Sequence, residues 1–436
     1  MKRILENLKL PSLFVIFFLA LILRLAISVP FYSGDVNNHV VWGRSLVEDG
    51  LIGFYDRSFP NVVFPTYGPL GMIPFGLSYI FFIFSVNFTW FLNTSIPPFP
   101  SNLVHFFSFE NYNLIAAVMK SSAIAGDLLV GVFVYLFAVN ILKFKKPKLF
   151  PILYLFNPAV FYLSAVWGQF ESQVLAFVLG SIYFVLRKKP VSASIFFTAA
   201  LLTKQTAVFF APIFLILFFK NFGVKKIIQS IILTAAFFYL LYLPFGFYHP
   251  LETFAFYYKT FSYVTDRVYE NAFNLWYLIA APAKPFDFET LFGVSYRLWG
   301  ILLFIIFTLP TLVLLLKKNT PKFTILITLY LILTTFLFLT RMHERYLAFI
   351  LPFPLLMFAT SSNFLWIYFG ISAIYFLNLY NGFFQPRVPV FDFLVGNLLF
   401  IRIMIVLLFI TSFYLAKKIL EFYKFVGNSK QRTDNK

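Results

Sequence analysis

The sequence predicts an all-α protein, a polytopic transmembrane helical bundle, and three observations lead to that fold class. Hydrophobic residues make up 60% of the 436 residues, and the mean hydropathy is +0.83. Apolar runs of about twenty residues, the length that crosses a bilayer, recur along the chain. Charged residues make up only 12%, and a soluble domain of this length could not hold 65 Phe without exposing much of that surface.

The apolar runs indicate about twelve transmembrane spans, with both termini on the same side of the membrane. The first run is expected to be a retained span, because no small-residue cleavage site follows it. Two runs, 190–203 and 205–219, are short for a hydrocarbon core of about 30 Å. The predicted spans lie near residues 11–30, 112–142, 149–166, 170–187, 190–203, 205–219, 226–246, 298–316, 323–340, 345–360, 363–380 and 396–417.

Basic residues cluster between the apolar runs, and their distribution predicts the orientation. Six short segments hold 22 of the 35 Lys and Arg residues and few of the 17 acidic ones. Short loops rich in Lys and Arg stay on the cytoplasmic side of a membrane. We therefore expect a multi-pass cell-membrane protein with cytoplasmic termini and an outward-facing site. The six segments are Lys2-Arg3 with Lys9, residues 143–148, 187–189, 220–226 and 317–322, and the tail from Lys417.

One apolar run, residues 70–84, is left out of the span count, because including it would place the lysine cluster at 143–148 outside. Its Gly71, Pro74 and Gly76 favour an interfacial or re-entrant helix. The first outer loop then covers residues 31–111 and carries interfacial helices, and a second covers residues 247–297. We expect one membrane-embedded domain over residues 1–420 and a basic cytoplasmic tail at residues 421–436.

What the sequence lacks excludes several classes of protein. Without cysteine there are no disulfides, thiolate metal sites or cysteine nucleophiles. There is no Walker loop or dinucleotide fingerprint, so any chemistry is not expected to use a cytoplasmic nucleotide. No basic stripe with interleaved aromatic residues lies outside the membrane flanks, so nucleic acid is not an expected partner.

The first candidate site residue is Asp35, which follows the first apolar run in a loop unusually rich in polar residues. Its carboxylate could act as a general base, for which a low-dielectric boundary and a tuning neighbour are needed. The alternative is that Asp35 caps the helix that follows. If that helix begins here, Asp35, His39 and Trp42 share one face at spacings of four and seven. His39 could then orient the carboxylate, although an isolated histidine in a loop is more often a surface residue.

A second polar group lies at the turns between spans. Trp167, Gln169 and Glu171 occupy a tight outer turn, where a tryptophan is most often an interface anchor. The preceding Asn157-Pro158 predicts a kinked helix. Lys204-Gln205 falls between two spans at the same level, and the lysine could simply extend toward the interface.

A third polar turn, Arg341-Met342-His343-Glu344-Arg345-Tyr346, has the composition of an anion site. Guanidinium groups bind phosphate oxygens in a bidentate manner, so Arg341, His343 and Arg345 are expected to bind a phosphate. The alternative is an internally paired charge cluster that includes Glu344. Charged residues inside spans are costly and need partners or an interface, and this applies to three residues. They are Arg24, Asp127 and Arg402.

Together these groups predict a carboxylate base, a cationic phosphate site and an aromatic-lined cavity on the outer face of the bundle. That combination suits displacement at a sugar carbon whose leaving group is a lipid phosphate. No set of His, Asp and Glu has metal-ligand spacing, so no metal site is predicted.

The chain resembles the membrane-embedded glycosyltransferases of the C-type (GT-C) fold, because seven short motifs occur in it in the same order as in that family. It is most similar to the dolichyl-phosphate-glucose-dependent glucosyltransferases of lipid-linked oligosaccharide assembly and their prokaryotic relatives. The resemblance extends over residues 33–346. The motifs are Ser33-Gly34-Asp35 with Trp42, Pro65-Thr66-Tyr67-Gly68-Pro69-Leu70, Gly126-Asp127-Leu128-Leu129, Asn157-Pro158, Trp167-Gly168-Gln169-Phe170-Glu171, Thr203-Lys204-Gln205 and Arg341-Met342-His343-Glu344-Arg345-Tyr346.

The resemblance implies that Asp35 is the catalytic base, that His343 and Arg345 lie by the donor phosphate, and that transfer inverts the anomeric centre. The implied donor is a polyprenyl-phosphate-linked hexose such as glucose or mannose. The acceptor is a glycan, a lipid-linked oligosaccharide or a protein, with membrane lipids around the bundle. Val36 stands where metal-using relatives have a second acid, so no metal cofactor is expected. The candidate substrate-binding residues are His39, Trp42, Tyr67, Trp167, Gln169, Glu171, Lys204 and Gln205.

Other functions are compatible with the same bundle. A non-enzymatic transporter or lipid flippase would usually show repeated halves and broken helices near the midplane. No internal repeat is found, and the polar groups collect in outer turns. The chain also lacks a soluble domain after its last span, which argues against an oligosaccharyltransferase. A third alternative keeps the fold but transfers a phosphate group, as in lipid A modifying transferases.

Overall fold

The computed structural model describes residues 9–261 and 265–434, with side chains as far as residue 424. It is 75% helical with 3% strand, so the all-α prediction is confirmed. Lys2, Arg3 and the end of the predicted tail lie outside the described residues. The α-helices of the described part are α1 Leu13–Ser28, α2 Gly34–Glu48, α3 Pro69–Ser95, α4 Ser101–Phe106, α5 Tyr112–Met119, α6 Ser121–Leu136, α7 Leu149–Leu155, α8 Pro158–Phe161, α9 Glu171–Leu186, α10 Pro190–Thr203, α11 Ala211–Asn221, α12 Val224–Tyr242, α13 Pro250–Thr260, α14 Leu275–Ala280, α15 Tyr296–Lys317, α16 Pro321–Phe338, α17 Pro352–Met357, α18 Asn363–Phe383, α19 Pro389–Gly396 and α20 Leu398–Asp434.

Short turns and very short strands connect these helices. β1 pairs in parallel with β4 and β2 pairs antiparallel with β3, so that Glu270 lies opposite His343. The strands are β1 Tyr269–Glu270, β2 Thr290–Leu291, β3 Val294–Ser295 and β4 Met342–His343. The 3₁₀ turns are Phe54–Asp56, Gln205–Phe210, Leu243–Phe245 and Glu344–Ile350, and the π turns are Phe137–Ile141 and Tyr162–Trp167.

Seven of the described helical segments are long and apolar enough to cross a membrane. An eighth crossing is counted if α7 and α8, with its π turn, form one span, bent by 51° next to Asn157-Pro158. The sequence predicts that bend, because proline cannot donate the helical hydrogen bond. Four further apolar helical segments, including α1 and α10, are shorter than a full crossing. The count of about twelve spans is therefore not confirmed.

Two predicted elements differ in the structure. Residues 345–360 do not form a continuous helix. A 3₁₀ turn ends at Ile350 and α17 begins at Pro352. Pro352 and Pro354 have no N–H to donate, which interrupts regular helical hydrogen bonding there. The apolar run at 70–84 is part of the much longer α3, whose 27 residues place it among the seven segments that could cross a membrane.

The buried side chains form two main clusters. The larger contains most of the central helices, and α16 is buried along almost its whole length. The smaller joins α2 and α3 to the loop around Tyr55 and to the end of α12 at Tyr242. α3 packs against α2 in this second cluster and leaves an apolar face exposed, which includes Phe81 and Phe84. Helix α2, which carries Asp35, is therefore packed in the smaller of the two clusters.

The lysine clusters lie at the helix ends that point away from the polar turns. α9 begins at Glu171 and ends beside Arg187, and α10 then returns to Lys204. At the end of the bundle that carries the lysine clusters, Lys148 Nζ donates to the Pro11 carbonyl at 3.1 Å and Lys318 Nζ to the Tyr423 carbonyl at 2.7 Å. The bundle thus carries its basic segments at one end and its candidate site at the other.

Candidate active site

The three polar turns, which are far apart in the sequence, meet at one end of the bundle. The Ser33 hydroxyl donates to the Trp167 carbonyl oxygen at 2.7 Å, which ties the start of α2 to the second turn. Lys204 Nζ lies 2.5 Å from Glu171 Oε1, and Arg345 Nε lies 3.2 Å from the same oxygen. The structure therefore brings together groups that the sequence analysis assigns to one site.

Asp35 is oriented by a neighbouring tryptophan. The Ser33 hydroxyl accepts the Val36 N–H at 3.1 Å and caps α2, so the alternative that Asp35 caps this helix is wrong. Trp167 Nε1 instead donates to Asp35 Oδ2 at 2.8 Å. Trp167 also stacks on Phe383, with ring centroids 5.4 Å apart. A packed aromatic ring therefore holds the carboxylate in one orientation.

The Trp167 turn reaches Asp35 because a glycine lets it approach α2. Gly168 has a φ of +91°, in the left-handed region that favours glycine. A Cβ atom at this position would lie 2.3 Å from Val36 Cγ2, which is too close for any real contact. The close packing of α2 against the Trp167 turn therefore requires a glycine at position 168.

The electrostatic surroundings keep Asp35 ionised. Burial works to raise the pKa of Asp35, but the nearby Arg345 guanidinium and the Trp167 N–H outweigh it and hold the pKa below its usual value. At neutral pH this half-buried side chain is a carboxylate ready to accept a proton.

His39 and Trp42 lie in the smaller core and do not orient Asp35 through hydrogen bonds. The His39 ring stacks on Phe75 with centroids 4.1 Å apart, and its Nδ1 has no hydrogen-bond partner in the described part of the chain. Burial lowers the pKa of His39 to about 3, so the ring is neutral. Trp42 Nε1 donates to the Val63 carbonyl at 3.0 Å. The expectation that His39 orients the base is therefore wrong, and Trp167 orients it instead.

Glu171 is the centre of the charged cluster. Its side chain is fully buried at the first turn of α9, and both Lys204 and Arg345 contact its Oε1 atom. Its other oxygen, Oε2, has no hydrogen-bond partner among the described residues. Such a group is stable in a low-dielectric interior only because two cations neutralise it.

Three aromatic rings surround the Lys204 ammonium group. Its Nζ lies 5.1 Å from the ring centroid of Tyr67, 5.2 Å from that of Phe170 and 5.9 Å from that of Tyr346. Ring faces attract a cation, and the effect is larger where water is excluded. Because Lys204 is buried, the alternative in which it extends toward the interface is wrong.

Glu344 is a site residue that the sequence analysis considered only as an internal ion-pair partner. Arg345 Nη1 donates to Glu344 Oε1 at 3.2 Å, so the pairing alternative is correct for this residue. Burial raises the pKa of Glu344 to about 7, although Arg345 works against the rise. A Cβ atom at Gly382 would lie 2.9 Å from Glu344 Cγ, so α18 packs directly on this carboxyl group.

The other two residues of the predicted phosphate site differ from Arg345. Burial and the charge of Arg345 lower the pKa of His343 well below its usual value, so this ring is neutral and adds no positive charge. Arg341 is paired at 2.6 Å with Asp266 and at 2.7 Å with Asp287. Its charge is therefore already neutralised, and Arg345 and Lys204 are the cations next to Asp35 and Glu171.

The two glutamines of the predicted site have different surroundings. Gln169 is buried, and neither polar atom of its amide has a hydrogen-bond partner in residues 9–261 and 265–434. Gln205 Nε2 donates to the Thr66 carbonyl and, at 2.6 Å, to the Thr260 hydroxyl. Gln169 is thus available to bind a polar ligand, whereas Gln205 ties the two large loops together.

A cavity of about 640 Å³ lies beside the charged cluster. Gln205 and Tyr346 connect it to the site, and Arg341 and Arg297 stand at its polar part. The rest of its wall is largely apolar. Those lining residues include Val208, Phe209, Phe261, Ile301, Leu339 and Met342.

Buried polar contacts hold the helices that carry the site. Arg24 Nε lies 2.8 Å from Asp127 Oδ2, and Ser164 donates to the same oxygen at 2.5 Å, so two of the three charges predicted to need partners neutralise each other. Lys120 Nζ donates to the Ser28 and Phe31 carbonyls, at 2.8 Å and 2.5 Å. These bonds fix the end of α1, and the chain continues from there to α2 and Asp35.

Comparison with protein-family models and with curated sequences identifies no relative. No protein-family model matches the chain, and no curated protein sequence matches it. In the described residues, no group of three His, Asp or Glu side chains could hold a metal ion, and the expectation that no metal is required stays a prediction. The likeness to the C-type glycosyltransferases thus depends on the seven short motifs alone.

Proposed function

We propose that the protein is a membrane-embedded, inverting glycosyltransferase of the C-type fold. It would move a hexose from a polyprenyl-phosphate-linked donor to a lipid-linked or other cell-envelope acceptor on the outer face of the membrane. One observation carries the proposal. The ionised Asp35 carboxylate lies in the same site as Lys204 and Arg345. These two cations both contact one oxygen of a neighbouring carboxylate, Glu171 Oε1.

The proposed reaction uses these groups in separate roles. Asp35 takes the proton of the acceptor hydroxyl as that oxygen attacks the anomeric carbon. The bond between that carbon and the phosphate oxygen of the donor breaks, and its electron pair leaves with the phosphate. Lys204 and Arg345 stabilise the negative charge on the departing phosphate. Attack from the side opposite the leaving group inverts the anomeric configuration.

The cavity beside the cluster supports a lipid-linked donor. It is large enough for part of an isoprenoid chain, its wall is largely apolar, and it meets the charged cluster at Tyr346 and Gln205. A phosphate at Lys204 and Arg345 would then have its hydrocarbon chain in an apolar channel. In this arrangement Gln169, whose amide is unpaired in the described residues, would bind a sugar hydroxyl.

The distribution of charge supports the proposed orientation. The lysine-rich helix ends lie opposite the site, and such segments stay in the cytoplasm. The site would then face the outer side of the membrane, where lipid-linked sugars are the available activated donors.

Incubating the purified protein with a panel of polyprenyl-phosphate sugars and candidate acceptors tests the proposal. We expect release of the polyprenyl phosphate together with a glycosylated acceptor from at least one donor. A donor that crosses vesicle membranes without loss of its sugar would indicate the flippase alternative. Transfer of the phosphate together with the sugar would indicate a phosphate-group transferase.

A further inference from the structure

Glu171 contacts two buried cations in the way that a bound anion would. Lys204 Nζ and Arg345 Nε approach its Oε1 at 2.5 Å and 3.2 Å, and this carboxylate is fully buried. Its Oε2 atom has no hydrogen-bond partner among the described residues, although a buried carboxylate oxygen normally has one. Glu171 thus holds both cations with a single atom and leaves its other oxygen unsatisfied.

Lys204 and Arg345 each have other contacts that hold them in place without Glu171. Lys204 is surrounded by the rings of Tyr67, Phe170 and Tyr346, none of which depends on the carboxylate. Arg345 keeps its hydrogen bond to Glu344 at 3.2 Å. Another anion could therefore bind the same two cations beside Glu171 and compete with it for them.

We infer that Glu171 is an internal counter-anion, which pairs with Lys204 and Arg345 while the site is empty and shares these two cations with the phosphate of a bound lipid. This inference rests on the proposed function and adds how the phosphate subsite is regulated. Pairing with Glu171 in the empty site avoids an uncompensated buried charge on Lys204, which would be strongly unfavourable, and gives Arg345 a second counter-anion beside Glu344.

The charges of substrate and product give this exchange a direction. The donor is a phosphodiester with one negative charge, whereas the released polyprenyl phosphate is a monoester that carries about −1.5 to −2 at pH 7. The product would otherwise bind two buried cations more tightly than the donor does. Competition from Glu171 weakens both complexes, and it therefore helps the product to leave.

Binding of a short prenyl monophosphate, measured by isothermal titration calorimetry on the full-length protein in detergent, tests the inference without catalysis. Glu171→Gln removes the competing charge and keeps the side-chain size. We expect this variant to bind the monophosphate about tenfold to a hundredfold more tightly, the value of one charge-assisted hydrogen bond. Glu252→Gln, at an exposed position in the first turn of α13, is the matched control and should bind like the wild type.

A second background separates competition from a general change in charge. In Lys204→Met, where one of the shared cations is missing, the gain from Glu171→Gln should largely disappear. An equal gain in both backgrounds would mean that Glu171 acts through long-range charge and would overturn the inference.

The failures are distinguishable. No binding of the monophosphate by the wild type would contradict the phosphate subsite and the proposed function with it. Binding by the wild type that Glu171→Gln leaves unchanged or weakens would overturn only the counter-anion inference. If Glu171→Gln does not fold, Glu171→Asp takes its place. Its shorter side chain should hold the cations less well and give a smaller gain, and weaker binding would again overturn the inference.

Discussion

Replacing Asp35 by Asn separates the role of this residue in the reaction from its role in the fold. The amide has the size of the carboxylate, and its oxygen can still accept the Trp167 Nε1–H bond that measures 2.8 Å in the wild type. The Ser33 cap of α2 does not involve the Asp35 side chain. We therefore expect Asp35→Asn to fold with an unfolding midpoint close to that of the wild type.

The expected loss of rate follows from the role of a base. A positioned general base contributes about 10²–10⁴-fold, or about 3–5 kcal/mol of transition-state stabilisation. An amide cannot take the proton, so turnover should fall by that factor. Donor affinity should not fall, because the substitution removes a negative charge that faces Arg345. The signature is a large loss in kcat with donor binding that is unchanged or tighter.

Single-turnover transfer with a radiolabelled polyprenyl-phosphate sugar measures the rate, and donor titration measures the affinity. Asp56→Asn is the matched control, since Asp56 is an exposed carboxylate in the 3₁₀ turn that follows α2. Turnover within tenfold of the wild type would refute the assignment of Asp35 as the base. Equal losses of rate, donor binding and thermal stability would show instead that Asp35 is structural.

Further substitutions test the surroundings of the base. Trp167→Phe removes the N–H donor to Asp35, so the pKa of this carboxyl rises and the acid limb of the pH–rate profile moves to higher pH. Gly168→Ala forces a side chain into a left-handed turn and should destabilise the fold by about 1–3 kcal/mol in thermal unfolding. Glu344→Gln should abolish any loss of donor affinity above about pH 7, measured by titration. By its resemblance to the C-type glycosyltransferases, the chain has Val36 where metal-using members have a second acid, so transfer should survive EDTA.

Each of these has a result that contradicts it. An unmoved acid limb in Trp167→Phe, whose phenylalanine can still stack on Phe383, would mean that the indole N–H does not set the pKa of Asp35. Gly34→Ala is the control for Gly168→Ala, because a Cβ atom at Gly34 meets nothing within 4 Å. The same pH dependence of affinity in Glu344→Gln would assign it to another group. Activity that is lost in EDTA and restored by Mn²⁺ would show that a metal is required.

The sequence was sufficient for the helical class and for the three polar turns, because both depend on local composition. Long apolar runs predict helices directly, and polar residues stand out in a chain with so few charges. The span predicted at 345–360 is not confirmed as a continuous helix, since hydropathy does not register that Pro352 and Pro354 interrupt helical hydrogen bonding. Residue types that break helices deserve as much weight as hydropathy in such turns.

The contacts within the site could not be predicted, because they join residues far apart in the sequence. Trp167 and Asp35 are separated by 132 positions, and Lys204 and Glu171 by 33. Arg341 was assigned to the phosphate site by its neighbours in the motif, yet its guanidinium pairs with Asp287, 54 positions earlier. Local composition identifies charged residues but does not tell which of them are already neutralised.

Two of the three carboxyl groups near Arg345, Asp35 and Glu344, show how one site can hold an ionised and a partly protonated acid at neutral pH. Burial raises the pKa of Glu344 to about 7, and the nearby Asp35 and Glu171 add to the rise. Burial also opposes ionisation of Asp35, but Arg345 and the Trp167 N–H outweigh it and keep the pKa of Asp35 low. Such a split assigns different roles to the two acids. Below about pH 7 a protonated Glu344 leaves more of the Arg345 charge for a phosphate, while Asp35 is still ionised to accept a proton. The proposed transfer therefore has its best range between the pKa of Asp35 and that of Glu344.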